Sequence, residues 1–113
     1  AYVVRAEETR LRALLDRHGV AYDVLAKERA DWVVEFLPGP ATTRADAILD
    51  NVRERTVRAR ANPGDLWVDL DQPRARLAVL LLEPRSTSSV WRKPEFVSAT
   101  GEGTPLPIFR VAH

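Results

Sequence analysis

The run Asp71-Gln-Pro-Arg-Ala-Arg-Leu-Ala-Val-Leu-Leu-Leu-Glu-Pro84 limits the possible folds of this chain more than any other stretch. It reads as a helix with sharp ends. Asp71 or Gln72 is placed to cap it, Pro73 stands where a missing N–H costs nothing, and Pro84 marks the stop. Leu77, Leu80 and Leu81 recur at helical spacing. Every residue from Leu77 to Leu82 is apolar, so this half lacks a wet face and is expected to be buried.

The remaining segments supply the other elements. Tyr2-Val3-Val4 reads as a short strand, and Glu7 to His18 as an amphipathic helix with Leu11, Leu14, Leu15 and His18 on one face. Arg17 and His18 suit its negative end, and Gly19 falls where a left-handed residue is wanted. Val20–Leu25 then returns as a strand, so the first segment predicts a βαβ unit with a right-handed crossover. Trp32–Phe36 is a further strand, Leu37–Thr43 a turn or loop, and Ala45–Leu49 a helical turn or irregular connection. From Arg53 to Ala61 residues alternate, with Arg55, Val57, Ala59 and Ala61 on one face and Thr56, Arg58 and Arg60 on the other. Asn62-Pro-Gly-Asp65 is a turn signal, and Leu66–Leu70 follows as a strand, which together predict a hairpin. Ser86, Ser88 and Ser89 lie in a polar loop that Val90-Trp91 and Phe96-Val97 clip down. Ala99–Thr104 has the composition of a flexible link, and Pro107–Val111 closes the chain as a strand. The expected class is α+β: a small mixed β-sheet with two main helices packed on it, in the order βαβ-ββ(β)-αβ.

The 113 residues suffice for one domain with a core but not for two. With 45% apolar and 29% charged residues the composition is that of a globular protein. Seventeen basic residues stand against sixteen acidic ones, which argues against binding nucleic acid or a membrane surface through bulk charge. No cysteine is present, so neither disulfides nor thiolate zinc sites are available. The apolar run Leu77–Leu82 is far too short to span a membrane. No methionine and no signal-peptide pattern opens the chain, and residues 1–113 are expected to be a single domain excised from a longer polypeptide.

Several segments, in order, resemble the accessory domain that follows the catalytic domain in bacterial zinc carboxypeptidases. Tyr2-Val-Val-Arg-Ala-Glu7, leading into Leu14-Leu-x-x-His-Gly-Val20, is similar to the family's entry strand and first helix. Asn62-Pro-Gly-Asp65, the strand Leu66-Trp-Val-Asp-Leu70 and the Asp-Gln-Pro helix match nearly continuously to Glu83-Pro84. Ser86-x-x-Ser89-Val-Trp91 resembles the serine-rich loop that follows, and Pro107-Ile-Phe-Arg110 the closing strand. The departures are Ala26–Asn51, where the family has longer regular strands, and Trp91-Arg-Lys-Pro-Glu-Phe96 in place of a Trp-Asn-Phe-Phe-like continuation.

The resemblance implies a parent metallopeptidase whose preceding catalytic domain binds zinc and removes C-terminal residues from peptides. Such a site needs two histidines and a glutamate on the metal, the first pair spaced His-x-x-Glu, and a second glutamate as base. This chain holds only His18 and His113, and residue 21 is Ala. His18 reads as a helix-terminal residue. No cofactor or metal site and no catalytic residue is therefore expected within the chain itself. The serines lack a paired base, and Gly101-Glu-Gly103 lacks the residues of a phosphate cradle. Asp69 and Asp71 could meet a cation, although Asp71 reads more simply as a helix cap.

What remains is binding. Trp32, Trp67 and Trp91 could provide a sugar- or peptide-binding platform, although separated tryptophans in a small domain are more often core or interface anchors. Trp67 and Trp91 are the candidates for binding a protein or glycan, and Arg58 and Arg60 belong to the one basic cluster, Arg53–Arg60. Without interleaved aromatics that cluster reads as a solvated strand face, not a nucleic-acid groove. The expected partner is the parent's own catalytic domain, with homo-oligomerisation left open and neither nucleic acid nor membrane expected. The alternative is a stand-alone interaction module using exposed tryptophans.

Overall fold

The computed structural model describes residues 1–37, 52–84, 89–92 and 105–111. Six strands form one sheet: β1 (Tyr2–Val4), β2 (Asp23–Val24), β3 (Arg29–Leu37), β4 (Arg53–Ala61), β5 (Leu66–Val68) and β6 (Ile108–Val111). Two helices, α1 (Thr9–Arg17) and α2 (Ala75–Leu82), and a 3₁₀ turn at Val90–Arg92 complete the described elements. The expectations for residues 38–43, Ala45–Leu49, Ser86, Ser88, Phe96–Val97, Ala99–Thr104 and His113 lie outside them.

The α+β class with two helices is the observed one. The sheet, in the order β2-β5-β1-β6-β3-β4, differs from the mixed sheet expected because every neighbouring pair is antiparallel. The parallel relations survive at one remove. β1 and β2 both run against β5, which lies between them, so the first βαβ unit is split. β5 and β6 both run against β1, so β5-α2-β6 is a second split unit interleaved with the first. This connectivity is that of a ferredoxin-like βαββαβ frame, with the β3–β4 hairpin inserted.

The hairpin expected between β4 and β5 does not form. All nine residues of β4 pair with β3, from Arg29↔Ala61 to Leu37↔Arg53. The turn after β4 is present as read: Asp65 N donates to Asn62 O at 3.0 Å, and Gly64 takes φ +93°, as a type II turn with Pro63 before it requires. What redirects the chain is the Asp65 side chain. It is 2% exposed and accepts from Asn62 N at 2.8 Å, Ala6 N at 2.9 Å and Arg5 Nη1 at 3.0 Å. The turn is thereby pinned to the chain leaving β1, and β5 enters the slot beside that strand.

Alternation along the strands divides the apolar residues between two cores. Tyr2, Val4, Leu66, Val68, Ile108 and Phe36 face the helices, meeting Leu11, Leu14 and Leu15 of α1 and Ala78, Leu81 and Leu82 of α2. On the opposite face Val3, Phe109 and Val111 meet Val33 and Ala61, with Val57, Ala59 and Trp67 packed against them. The inserted hairpin thus covers the side that the helices leave open. Covering on both faces explains why Tyr2, Val3 and Val4 are all buried.

The ends of α1 follow from local chemistry. Gly19 N bonds Asp16 O and Val20 N bonds Leu15 O, at 3.2 and 3.0 Å, with Gly19 at φ +69°. This is a Schellman closure, and its apolar contact is the buried pair Val20 and Leu15. Helix α2 departs from expectation in two ways. Neither Asp71 nor Gln72 caps it; the N-cap is Arg74, without a side-chain bond. Nor is it apolar on a buried circumference, because Leu80 is 44% exposed. A helix lying on one face of a sheet can bury only one side, whatever its composition.

Candidate functional site

The four candidate residues fall in three places. Trp91 is 1% exposed, and its ring N–H donates to Leu82 O at 3.1 Å, closing the end of α2. It is a core anchor, which corrects the expectation of an exposed tryptophan at this position. Arg58 and Arg60 are exposed on β4. The Arg58 guanidinium lies 5.9 Å from the ring centre of Trp32, itself 52% exposed, and Arg60 Nη1 lies 3.3 Å from Glu28 Oε1.

Trp67 is half-buried on β5, with the Arg29 guanidinium stacked 4.0 Å from its ring centre. It lines an open groove of about 280 Å³ with Ala21, Tyr22, Asp23, Asp69, Asp71 and Gln72. The placement follows from register. Asp23 sits opposite Trp67 across the β2–β5 pair, and Asp69 follows two residues later on the same side. Gln72 holds the wall, accepting from Ala21 N at 2.8 Å while its Nε2 reaches Ala21 O at 2.9 Å and Asp69 O at 2.6 Å. Asp69 Oδ1 accepts from Asp71 N at 2.8 Å. Tyr22 is already engaged, donating to Asp16 Oδ1 at 2.6 Å and accepting from Arg12 Nε at 3.1 Å. An indole edge among carboxylates suits a cationic or hydroxyl-rich group. A nucleophile with a base in reach is not among the lining residues.

A second polar cluster, on the helix side of the sheet, went unrecognised in the sequence. Tyr2 Oη donates to Glu83 Oε2 at 2.6 Å, and Arg110 Nη1 donates to the same oxygen at 2.9 Å. Arg110 Nη2 reaches Glu54 Oε1 at 2.8 Å. Burial, then the bond and charge of Glu83, raise the pKa of the Tyr2 phenol well above its ordinary value, so it stays a donor. Burial works against the charge of Arg110, but Glu83 and Glu54 outweigh it and its pKa is raised. The cluster ties β1, the end of α2, β6 and β4 together. It serves the fold; its members lie in segments the eye reads separately, and only the β1–β6 pairing brings Tyr2 opposite Arg110.

Among the described residues no group of three or more His, Cys, Asp or Glu is placed to hold a metal. His18 occupies the C-cap of α1, where its N–H bonds Leu14 O at 3.1 Å. Ser89 is buried, and its Oγ accepts from Trp91 N at 3.3 Å. No helix among the described residues is long and apolar enough to cross a membrane. No protein-family model matches the chain, nor does any curated protein or solved structure.

Proposed function

We propose that this chain is a non-catalytic accessory domain of a zinc-carboxypeptidase-like peptide hydrolase, acting by packing on a catalytic domain and shaping access to it. One observation carries the reading. The residues through which the chain resembles that family are the joints of the fold: Gly19 closes α1, Asp65 pins the turn, Gln72 holds Ala21, Glu83 joins Tyr2 to Arg110, and Trp91 closes α2. A shared set of joints supports a shared scaffold, while the chemistry belongs to a domain bearing the zinc ligands. The test is zinc titration and a C-terminal peptidase assay on the isolated chain, and inspection of the upstream coding sequence for His-x-x-Glu and a later His. The expected result is no stoichiometric tight zinc and no turnover by the chain alone, with the ligand motif upstream. Tight zinc with turnover by the chain alone overturns the proposal.

The groove at Trp67 favours a second reading, a protein- or glycan-interaction module. Titration with basic peptides and with oligosaccharides, comparing the native chain with Trp67→Ala, separates this reading from a purely structural Trp67. Binding that Trp67→Ala leaves unchanged counts against it.

A further inference from the structure

We infer that the outer edge of β4, unpaired among the described strands, is a strand-addition site for an extended acidic segment of a partner protein. The inference stands apart from the accessory-domain reading, since it rests only on the sheet. β4 is the outer strand at one end of the order and is nine residues long. Leu106 N donates to Phe36 O at 3.0 Å, so Phe36 turns its backbone polar groups toward the β6 side. Antiparallel alternation then directs the groups of Val33 and Glu35 to β4, where Val57 and Arg55 answer them. The backbone groups of Glu54, Thr56, Arg58 and Arg60 consequently point outward. The Arg60 carbonyl agrees with this phase, since it accepts from Arg5 Nη1 at 2.9 Å, and that bond closes the edge at one end. From Glu54 to Arg58 the outward groups meet no partner among the described residues.

Such an edge is a template for another strand. β4 has no proline, and its nine consecutive pairs leave no bulge to spoil the register. The side chains select the occupant. Arg55 is held by Glu35, and Glu54 by Arg110, whereas Arg53 and Arg58 make no ion pair among the described residues. β4 carries four arginines against one glutamate, so a second copy would bring two net-positive strands together, which disfavours self-pairing. An extended segment with acidic residues reverses the sign of that term. The arginines therefore protect the edge from itself and leave it open to an acidic strand.

The test uses the full chain and a capped eight-residue peptide alternating Glu and Val, followed by calorimetry and by backbone amide NMR. The expected result is salt-sensitive binding with exchange protection at the amides of Glu54, Thr56 and Arg58. Thr56→Pro removes an N–H that points away from β3, so the β3–β4 ladder is kept and binding falls at least about tenfold. Arg58→Glu weakens binding by about tenfold, and Arg58→Lys largely preserves it. An acidic peptide N-methylated along one edge cannot complete the ladder and is expected not to bind, which tests the idea without altering the protein. The proposal fails if the acidic peptide does not bind, or if it binds equally after N-methylation. It also fails if a single-stranded oligonucleotide competes and its binding survives Thr56→Pro, which would assign the arginines to phosphate. Dimerisation through β4 in sedimentation would overturn it as well.

Discussion

At the scale of single residues, the fold is held by a few buried polar groups that join distant segments. Asp65 accepts from two backbone N–H groups and from the Arg5 guanidinium, which also lies 4.4 Å from the ring centre of Phe109. Asp65→Ala strands these donors and is expected to cost about 3 kcal/mol in urea denaturation. A loss below about 0.5 kcal/mol would show that the turn holds without its carboxylate. Tyr2 gives a pH signature. Its phenol has a folded pKa raised above the ordinary value of 10.0, so its contribution is complete below that value. Stability is then lost as pH rises from about 10 toward the folded value, because the unfolded chain ionises first. Tyr2→Phe is expected to cost about 1.5 kcal/mol at neutral pH and to flatten this alkaline decline. Denaturation midpoints of the two proteins between neutral and strongly alkaline pH decide the matter; parallel curves would exclude Tyr2 as the titrating group.

At the scale of elements, α2 separates composition from position. Leu77–Leu82 is uniformly apolar, yet Leu81 is 7% exposed and Leu80 44%. Leu81→Ala is expected to cost about 2–5 kcal/mol, whereas Leu80→Ala stays within about 0.5 kcal/mol. Equal losses at both positions in thermal denaturation would mean that Leu80 is covered in solution. The helix and its stop at Pro84 were legible because Pro and periodicity act on neighbouring residues. Which side of the helix meets the sheet was not, since six apolar residues in a row leave no polar mark of the outer face. The closure of α1 was readable for the opposite reason: Gly19 at φ +69° satisfies a local demand that other residues meet at a cost.

At the scale of the whole molecule, the inserted β3–β4 hairpin turns a one-sided sheet into a two-core body. Phe109 is buried beneath it, on the face opposite the helices. Phe109→Ala is therefore expected to cost about 3–5 kcal/mol, like a residue of the main core, measured by chemical denaturation. A loss under about 1 kcal/mol would mean that the hairpin leaves this face wet. Of the candidate binding residues, Trp67, Arg58 and Arg60 stand at surfaces and Trp91 does not, a distinction that residue type cannot make because an indole serves a core and an interface equally well. The amino-acid sequence by itself determined the helices, the turn at Asn62–Asp65 and the two faces of β4, since dihedral preference and side-chain alternation act within a few residues. Only the tertiary structure decided that β4 pairs with β3, that β5 enters between β1 and β2, and that Tyr2, Glu83 and Arg110 meet. Strand partners are chosen by covering every apolar face at once, a condition set by the assembled chain as a whole.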